Sequence, residues 1–587
     1  MRKKMDIMMK KTMAVLLSVT CAAVFTPAAA FAGHAEAATG PDALNTAPAA
    51  SAWVTAGADK VRIGGTVFDA SQASKSGASG RWKWQANSGY DNTKAVSSTN
   101  NSGTLTLSGY TLSYGRTSYT VSLPAGAVVR MNGKNKITNT GHNNVTSAIV
   151  ADGDVMFTGT GSITAVDSKS SSGTKSSYTC GICIKGDIVM NDGNLKGKSM
   201  LQKSTAGNAD SDGIVVFGDC TLSGRAAISG NGAEAADHSY GGWIGGSLSI
   251  SDDAVLLAMA DTAAYSDALC VSGKMMMNGG SLNLMSGTAA QVSRGTYAAG
   301  DVSISGGEVS ILSGDVSSAA KSGKADAYDY GIESDGNISV SGGKLYVTAG
   351  TNKINSQNAA LCGRDISVTG GITYAACAGG TAAAAKNSIT LGSGITAKAA
   401  GKDAGSYDTA AAVRDGTIVY TDGTDTVRAK YVKLAPEAET AGTVLTNGKY
   451  TYKVTTNKVE GLFYGGKTAV TGFAPGQSAS SVNVQDEFDS GDYSYYVSSV
   501  AAGAFAGNES VRKAALPYTI TSIGAKAFCG DRNLRTVRIS STGIRTVGSN
   551  AFKGINGKAV INVPNSKVKA YTKLFRKAGM PKTVKVY

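Results

Sequence analysis

The chain has 587 residues, of which 75 are glycine, nine proline and three histidine, and it carries a net charge of +14. This length allows two or more domains. Abundant Gly beside Ser, Thr, Ala and Val, without a collagen period, argues for many short strands joined by tight turns and against a fibrous or low-complexity chain. Three histidines also make a His-based catalytic site a poor expectation.

Arg2, Lys3, Lys4, Lys10 and Lys11 flank the start of an apolar run from Met13 to Phe25, and small residues follow it. That is the pattern of a secretory signal peptide over 1–32, with cleavage near Ala32 or Ala37 and no membrane span in the mature chain. The expected location is extracellular or cell-surface. Residues 33–51 read as a linker. Residues 52–120 read as an N-terminal β cap with Trp82 and Trp84 in its core, because an open solenoid end exposes apolar side chains and strand edges.

Over 121–433 the chain repeats itself. Gly181-Ile-Cys-Ile-Lys-Gly-Asp-Ile-Val-Met-Asn-Asp-Gly193, Leu269-Cys-Val-Ser-Gly-Lys-Met-Met-Met-Asn-Gly-Gly280, Gly331-Ile-Glu-Ser-Asp-Gly-Asn-Ile-Ser-Val-Ser-Gly-Gly343 and Leu361-Cys-Gly-Arg-Asp-Ile-Ser-Val-Thr-Gly-Gly371 share one plan. Each is a short apolar strand, a turn, and an alternating strand ending at glycine. A unit of this size cannot bury its own apolar face, so copies must stack and pair in parallel. The expected fold is mainly β: a right-handed parallel β-helix followed by a small α/β leucine-rich-repeat domain. Alternation puts Ile188, Met275, Val302, Ile338 and Ile366 inside and Val189, Met276, Ser303, Ser339 and Ser367 outside. Asp187, Asp219, Asp301 and Asp365 share one turn position, with Asn337 and Lys274 as variants. A stacked carboxylate row could take Ca²⁺. The favoured reading is that these residues satisfy turn backbone groups, since Lys274 interrupts the row, and no cofactor is expected. Seven cysteines outside the signal, irregularly spaced, do not make a disulfide framework, and Cys180 and Cys183 lack partners for zinc.

The longer inter-rung loops are expected to hold Tyr240, Trp243, Tyr297, Tyr328, Asp329 and Tyr330. There they would stack on and hydrogen-bond sugars, or pack the loops themselves. Asp210, Asp212, Asp326, Asp329 and Glu333 read as solvated loop acids rather than paired catalytic carboxylates, so no catalytic residue is assigned and no enzyme is expected.

Residues 434–443 read as a second linker and 444–499 as a β lead-in to a repeat domain over 500–587. In that domain Val500-Ala-Ala-Gly-Ala-Phe505, Ile523-Gly-Ala-Lys-Ala-Phe528 and Val547-Gly-Ser-Asn-Ala-Phe552 recur, with short helical Ala-Phe segments expected to alternate with strands. Ser566–Gly579 reads as a capping helix. Residues 501–587 hold sixteen Lys and Arg against Glu509 and Asp531, so the basic charge is local to this domain. It suits an anionic cell-wall polymer or an acidic host protein. Nucleic acid is not expected, because no recognition motif accompanies the charge.

The three Val/Ile-x-x-x-Ala-Phe copies resemble the leucine-rich repeats of bacterial surface and treponemal proteins, which implies adhesion and protein contact. Val563-Pro-Asn-Ser-Lys-Val-Lys-Ala-Tyr571 is similar to the ending of many secreted proteins of gut clostridia. Residues 104–433, through Asp301-Val-Ser-Ile-Ser-Gly-Gly307 and Tyr330–Gly343, resemble the clostridial family of secreted carbohydrate-binding β-helix proteins, which share their fold with pectate lyases. The resemblance implies a polysaccharide partner, a plant cell-wall or host glycan. The alternatives are a protein-binding adhesin with the β-helix as spacer, or a polysaccharide lyase.

Overall fold

The computed structural model describes residue 57 and residues 59–587, apart from 142, 169–176, 201–208, 318–326, 353–357, 401–408, 423 and 458–463. The signal segment with its cleavage sites, the 33–51 linker and Asp326 lie outside the described residues. Among the described residues, no helix is long and apolar enough to cross a membrane.

The central chain is a parallel β-solenoid. One turn runs through the strands Ala209–Val216, Cys220–Leu222 and Ala227–Asn231 before the next begins at His238–Ile244. Each pairs in parallel with its equivalent one turn on, as in Ile214↔Gly242, Leu222↔Ile250 and Ile228↔Leu256. The stack therefore has three sheets, here called first, second and third in chain order. In the second, Ile188, Cys220, Leu248, Met275, Val302, Ile338 and Ile366 form one inward column. All are buried, while Met276 is 37% exposed. The period-two alternation is enough to decide which face is which. From Met275 onward the second and third strands fuse, as in Val302–Leu312 and Ile338–Ala349. They bend at the paired glycines: Gly307 and Gly343 have φ of +79° and +77°, and a Cβ on Gly343 would lie 2.7 Å from the Gly306 carbonyl carbon. A side chain is excluded there both by the left-handed backbone and by the turn beneath.

The aspartate row serves the backbone at Asp187, Asp219 and Asp301, whereas Asp365 accepts from the Ser388 hydroxyl and the Asn387 amide. Asp187 Oδ1 accepts the Asp219 N–H at 2.7 Å, Asp219 Oδ1 accepts the Ser247 N–H at 2.7 Å, and Asp301 Oδ1 accepts the Asn337 N–H at 2.9 Å. Each carboxylate ties its own turn to the next.

Both solenoid ends are covered by antiparallel strands. Trp82–Ala86 pairs with Gly103–Ser108 in antiparallel register. Trp84 is wholly buried, and its Nε1–H donates to the Ala70 carbonyl at 2.9 Å. Parallel stacking starts at Gly103–Ser108, which pairs with Ala127–Asn132, so part of the segment expected as cap already belongs to the stack. Its Thr-Leu-Thr-Leu alternation is that of a rung. At the other end Tyr431–Pro436 runs antiparallel to Ile395–Ala399 and to the last third-sheet strand. This strand takes up the start of the expected 434–443 linker: Leu434 is fully buried and closes the core.

The tail follows as a seven-stranded mixed sheet, whose first strand is Val444–Thr446 and whose last is Thr546–Val547, and a five-stranded parallel sheet. In the latter, Ser481–Asn483, Lys513–Leu516, Thr536–Ile539, Val560–Asn562 and Lys585–Val586 stack in order. Phe505, Phe528 and Phe552 form a ring ladder with centroids 5.5 and 5.7 Å apart. The Ala-Phe segments are turns rather than the expected short helices, because Gly503, Lys526 and Asn550 in their middle have φ of +68°, +57° and +59°. The α-helix Val568–Lys577 caps the stack.

Asp531 is buried in this tail. Its Oδ1 accepts the Asn508 N–H at 2.8 Å, Oδ2 has no partner, and burial pushes the carboxyl up to about 7 despite the backbone donors. The folded state thus keeps a proton that the unfolded state has released above about pH 4, so stability falls as pH rises from about 4 to 7. Asp531→Asn should slow hydrogen exchange of the Leu534–Ile539 amides at pH 8 relative to the parent chain. At pH 4 the two should match.

Candidate functional site

The six expected sugar contacts do not sit in loops. Tyr240 and Trp243 lie on the first-sheet strand His238–Ile244, Tyr297 on Ala289–Ala298, and Tyr328, Asp329 and Tyr330 on Tyr328–Ser334. Their exposures are 2, 8, 7, 6, 0 and 9%. The physical reason is register. These segments are flanked by polar residues and read as loops along the chain, but each pairs on both sides with neighbouring turns.

Asp329 occupies a ladder of small hydroxyl residues, Ser211, Ser239, Ser266 and Ser293 in successive turns. Ser211 and Ser239 Oγ accept backbone N–H groups of Ala233 and Asp261 at 2.8 and 2.9 Å. Asp329 accepts a hydrogen bond from Ser313, and burial pushes its carboxyl up to about 8, so it serves this ladder as a neutral acid at pH 7.

The five aromatic residues lie in neighbouring columns with charge among them. One column runs Asp212, Tyr240, Asp267, Arg294, Tyr330, and another Val215, Trp243, Cys270, Tyr297, Glu333, Cys362. Arg294 grips Asp267 through Nε at 2.7 Å and Nη2 at 2.8 Å, and reaches Glu333 through Nη1 at 3.1 Å. Its guanidinium carbon lies 4.6 Å from the Tyr297 ring centroid, and Tyr297 donates to Asp335 at 2.6 Å. Asp267 is fully buried, Arg294 2% exposed and Glu333 9% exposed. Asp210 and Asp212 are also buried, at 7 and 1%. Asp210, Asp212, Asp329 and Glu333 are therefore not solvated loop acids. Sequence reading missed Arg294 and Asp267. The signal was present: both occupy the repeat position of Asp212, two residues before the inward Ile214, Leu269 and Thr296.

His238 lies at the edge of this face. Its Nδ1 is 3.3 Å from Asp210 Oδ1 and 3.5 Å from Asp237 Oδ2. Burial disfavours its charge, but the two carboxylates outweigh that and push the imidazole up to about 10. Tyr240 and Tyr265 stack on its ring at centroid distances of 5.6 and 4.6 Å.

A concavity open to solvent lies elsewhere. A cleft of about 690 Å³ separates the third sheet from the tail. Glu308 and Lys344 wall one side; Asn447, Lys449, Asn483, Gln485, Glu487 and Asp489 wall the other, with Tyr450, Phe488 and Ser494 between. Lys344 Nζ donates to Ser494 Oγ at 3.0 Å and pairs with Asp489 at 3.5 Å. Beside the cleft the two parts share apolar contacts, since Ile372 and Tyr374 of the third sheet pack in the tail's core with Tyr493 and Tyr495. This cleft offers amides, carboxylates and ammonium groups at the edge of two rings, a set suited to a hydroxyl-rich ligand.

The outward side of the five-stranded sheet bears Lys513, Arg538 and Lys585, with Arg512 and Arg535 just before their strands, and all five are exposed. Comparison with known families meets this part of the chain. Residues 493–586 match the BspA-type leucine-rich repeat region, in six copies. The match begins at Tyr493, ahead of the Val500 start read from the sequence. No curated protein matches. Similar solved structures include a leucine-rich cell surface protein from Faecalibacterium prausnitzii, at 18% identity, with 21% of this chain and 37% of that one covered and a TM-score of 0.17. A leucine-rich-repeat protein from Bacteroides capillosus is 17% identical over 24% of this chain and 98% of its own, with a TM-score of 0.19. The pneumococcal vaccine antigen PcpA is 19% identical over 21% and 42%, with a TM-score of 0.16. The chain thus spans about a third of the first of these.

Proposed function

We propose that the protein is a secreted, non-catalytic adhesin that holds polysaccharide in the cleft between solenoid and tail, and that its BspA-type repeats make the contact with a protein or cell wall. The observation that carries this reading is the cleft lining. Its volume falls in the ~300–1,000 Å³ range of small-molecule sites, and its planar amides and carboxylates match paired sugar hydroxyls. Asp267, Arg294 and Glu333 of the first sheet, in contrast, are spent on one another, and His238 faces carboxylates rather than a hydroxyl or thiol that it could activate.

The basic tail sheet favours a second reading, capture of an anionic wall polymer. One experiment separates the two. In affinity gels containing pectin, xylan or mucin, the full chain should be retarded by at least one polymer at 0.15 M salt. Asn483→Ala with Gln485→Ala should weaken that retardation about tenfold, the loss of roughly two hydrogen bonds. Retardation by anionic polymers alone, abolished at 0.5 M salt and untouched by the double substitution, would assign binding to Lys513, Arg538 and Lys585 instead. If no gel retards the chain, the polysaccharide reading is wrong. Release of reducing or unsaturated ends during incubation would turn it into a lyase or hydrolase.

A further inference from the structure

We propose that Asp210, Asp237 and His238 form a binding site for one divalent transition-metal ion, zinc by ligand type, clipping two consecutive turns of the solenoid together. The ligand atoms lie within 4.8 Å of one another. Asp210 opens one turn on the strand Ala209–Val216, and Asp237 and His238 open the next.

Three observations lead to a metal rather than a plain ion pair. The first is distance. Both carboxylates address the same imidazole nitrogen, at 3.3 and 3.5 Å. These are long for charge-assisted hydrogen bonds, which shorten to ~2.7–2.9 Å. The shorter equals, and the longer slightly exceeds, the ~3.3–3.4 Å edge of a tetrahedron whose metal–ligand bonds are ~2.0–2.1 Å. The second is charge. Among the described residues, His238 is the only ion-pair partner of Asp210 and Asp237, so two carboxylates share at most one positive charge. The third is Asp212. It is 1% exposed, both its oxygens lack a partner, and it interacts electrostatically with Asp210 and His238 from the same face of the strand. A cation held beside Asp210 would give these two buried oxygens a partner.

The ligand set selects the ion. An imidazole nitrogen with carboxylate oxygens suits zinc and its first-row neighbours, whereas Ca²⁺ takes six to eight oxygens. Asp212 or water would complete the shell. The stacked rings of Tyr240 and Tyr265 hold the imidazole plane in place. The site is separate from the aspartate row of the turns, in which Asp187 and Asp219 each spend Oδ1 on a backbone donor.

The test uses the full chain, purified without a histidine tag, stripped with chelator and dialysed against Zn²⁺. Metal analysis should find about one zinc per chain, and Co²⁺ in its place should give the visible bands of a tetrahedral site. Asp237→Asn and His238→Gln should each weaken binding at least tenfold with far-ultraviolet circular dichroism unchanged, while Asp252→Asn should leave it intact. Asp237 is the more exposed ligand, so its substitution keeps the test decisive should the His238 variant unfold. No retained zinc, or retention that both ligand substitutions leave unaltered, would show an ion pair and nothing more.

Discussion

Arg294→Met should destabilise the middle turns of the solenoid by about 3–5 kcal/mol at neutral pH, and most of that loss should vanish near pH 4. The side chain is nearly isosteric in its stem, so packing is largely kept. What goes is the counter-charge of Asp267, fully buried, and of Glu333, 9% exposed. Even with Arg294 present, burial holds Glu333 above its ordinary value. With the guanidinium gone, the folded state takes up protons instead of burying two bare charges. It then binds protons that the unfolded chain has released above about pH 4, so its stability falls as pH rises from there. Hydrogen exchange of the Ala263–Val271 and Tyr328–Ser334 amides is the right measurement, because a solenoid opens locally and a single global unfolding energy would dilute the effect. The triple substitution Arg294→Met, Asp267→Asn, Glu333→Gln should recover most of the loss, because it leaves no buried charge. If Arg294→Met costs the same at pH 4 and pH 8, the penalty comes from lost packing against Tyr297 and not from charge.

The residues that sequence reading placed well are those whose role follows from one strand alone. Ile188, Met275 and Ile338 point inward because alternation over four residues already separates two faces. Trp82 and Trp84 belong to the cap core because an open solenoid end must be covered, and Trp84 is wholly buried. The residues it misplaced depend on neighbours one turn away. Asp267 and Arg294 are 27 positions apart, and Arg294 and Glu333 are 39 apart. Each looks like an isolated acid or base until the rungs are set in register. The outer face of the first sheet also departs from the rule that outward residues of a solenoid are polar: Tyr240, Trp243 and Cys270 sit there buried. Tyr-Asp-Tyr at 328–330 therefore reads as a loop and folds as a strand. The cleft was out of reach for a stronger form of the same reason. Lys344 and Ser494 meet across 150 positions, through docking of two repeats that share no sequence pattern.

Phe528→Ala tests that docking from the other side. The ring is fully buried between Phe505 and Phe552, at 5.5 and 5.7 Å, and its removal should cost the tail about 3–5 kcal/mol. Each repeat touches only its neighbours, so the loss should stay in the tail and leave exchange at Ile188 and Ile338 as it was. Phe528→Leu should cost less than half as much, since most of the apolar volume returns. The mixed sheet that carries Glu487 leans on this stack through Phe473 and Phe505, 5.5 Å apart. Loosening the ladder should therefore loosen the tail wall of the cleft, and polysaccharide retardation should fall in step with near-ultraviolet dichroism of the tail. Arg294→Met should leave retardation unchanged, since its network lies on the first sheet and the cleft on the third. Should Phe528→Ala melt the tail while the gels still retard the chain, the glycan must rest on the solenoid alone, and the cleft is not its site.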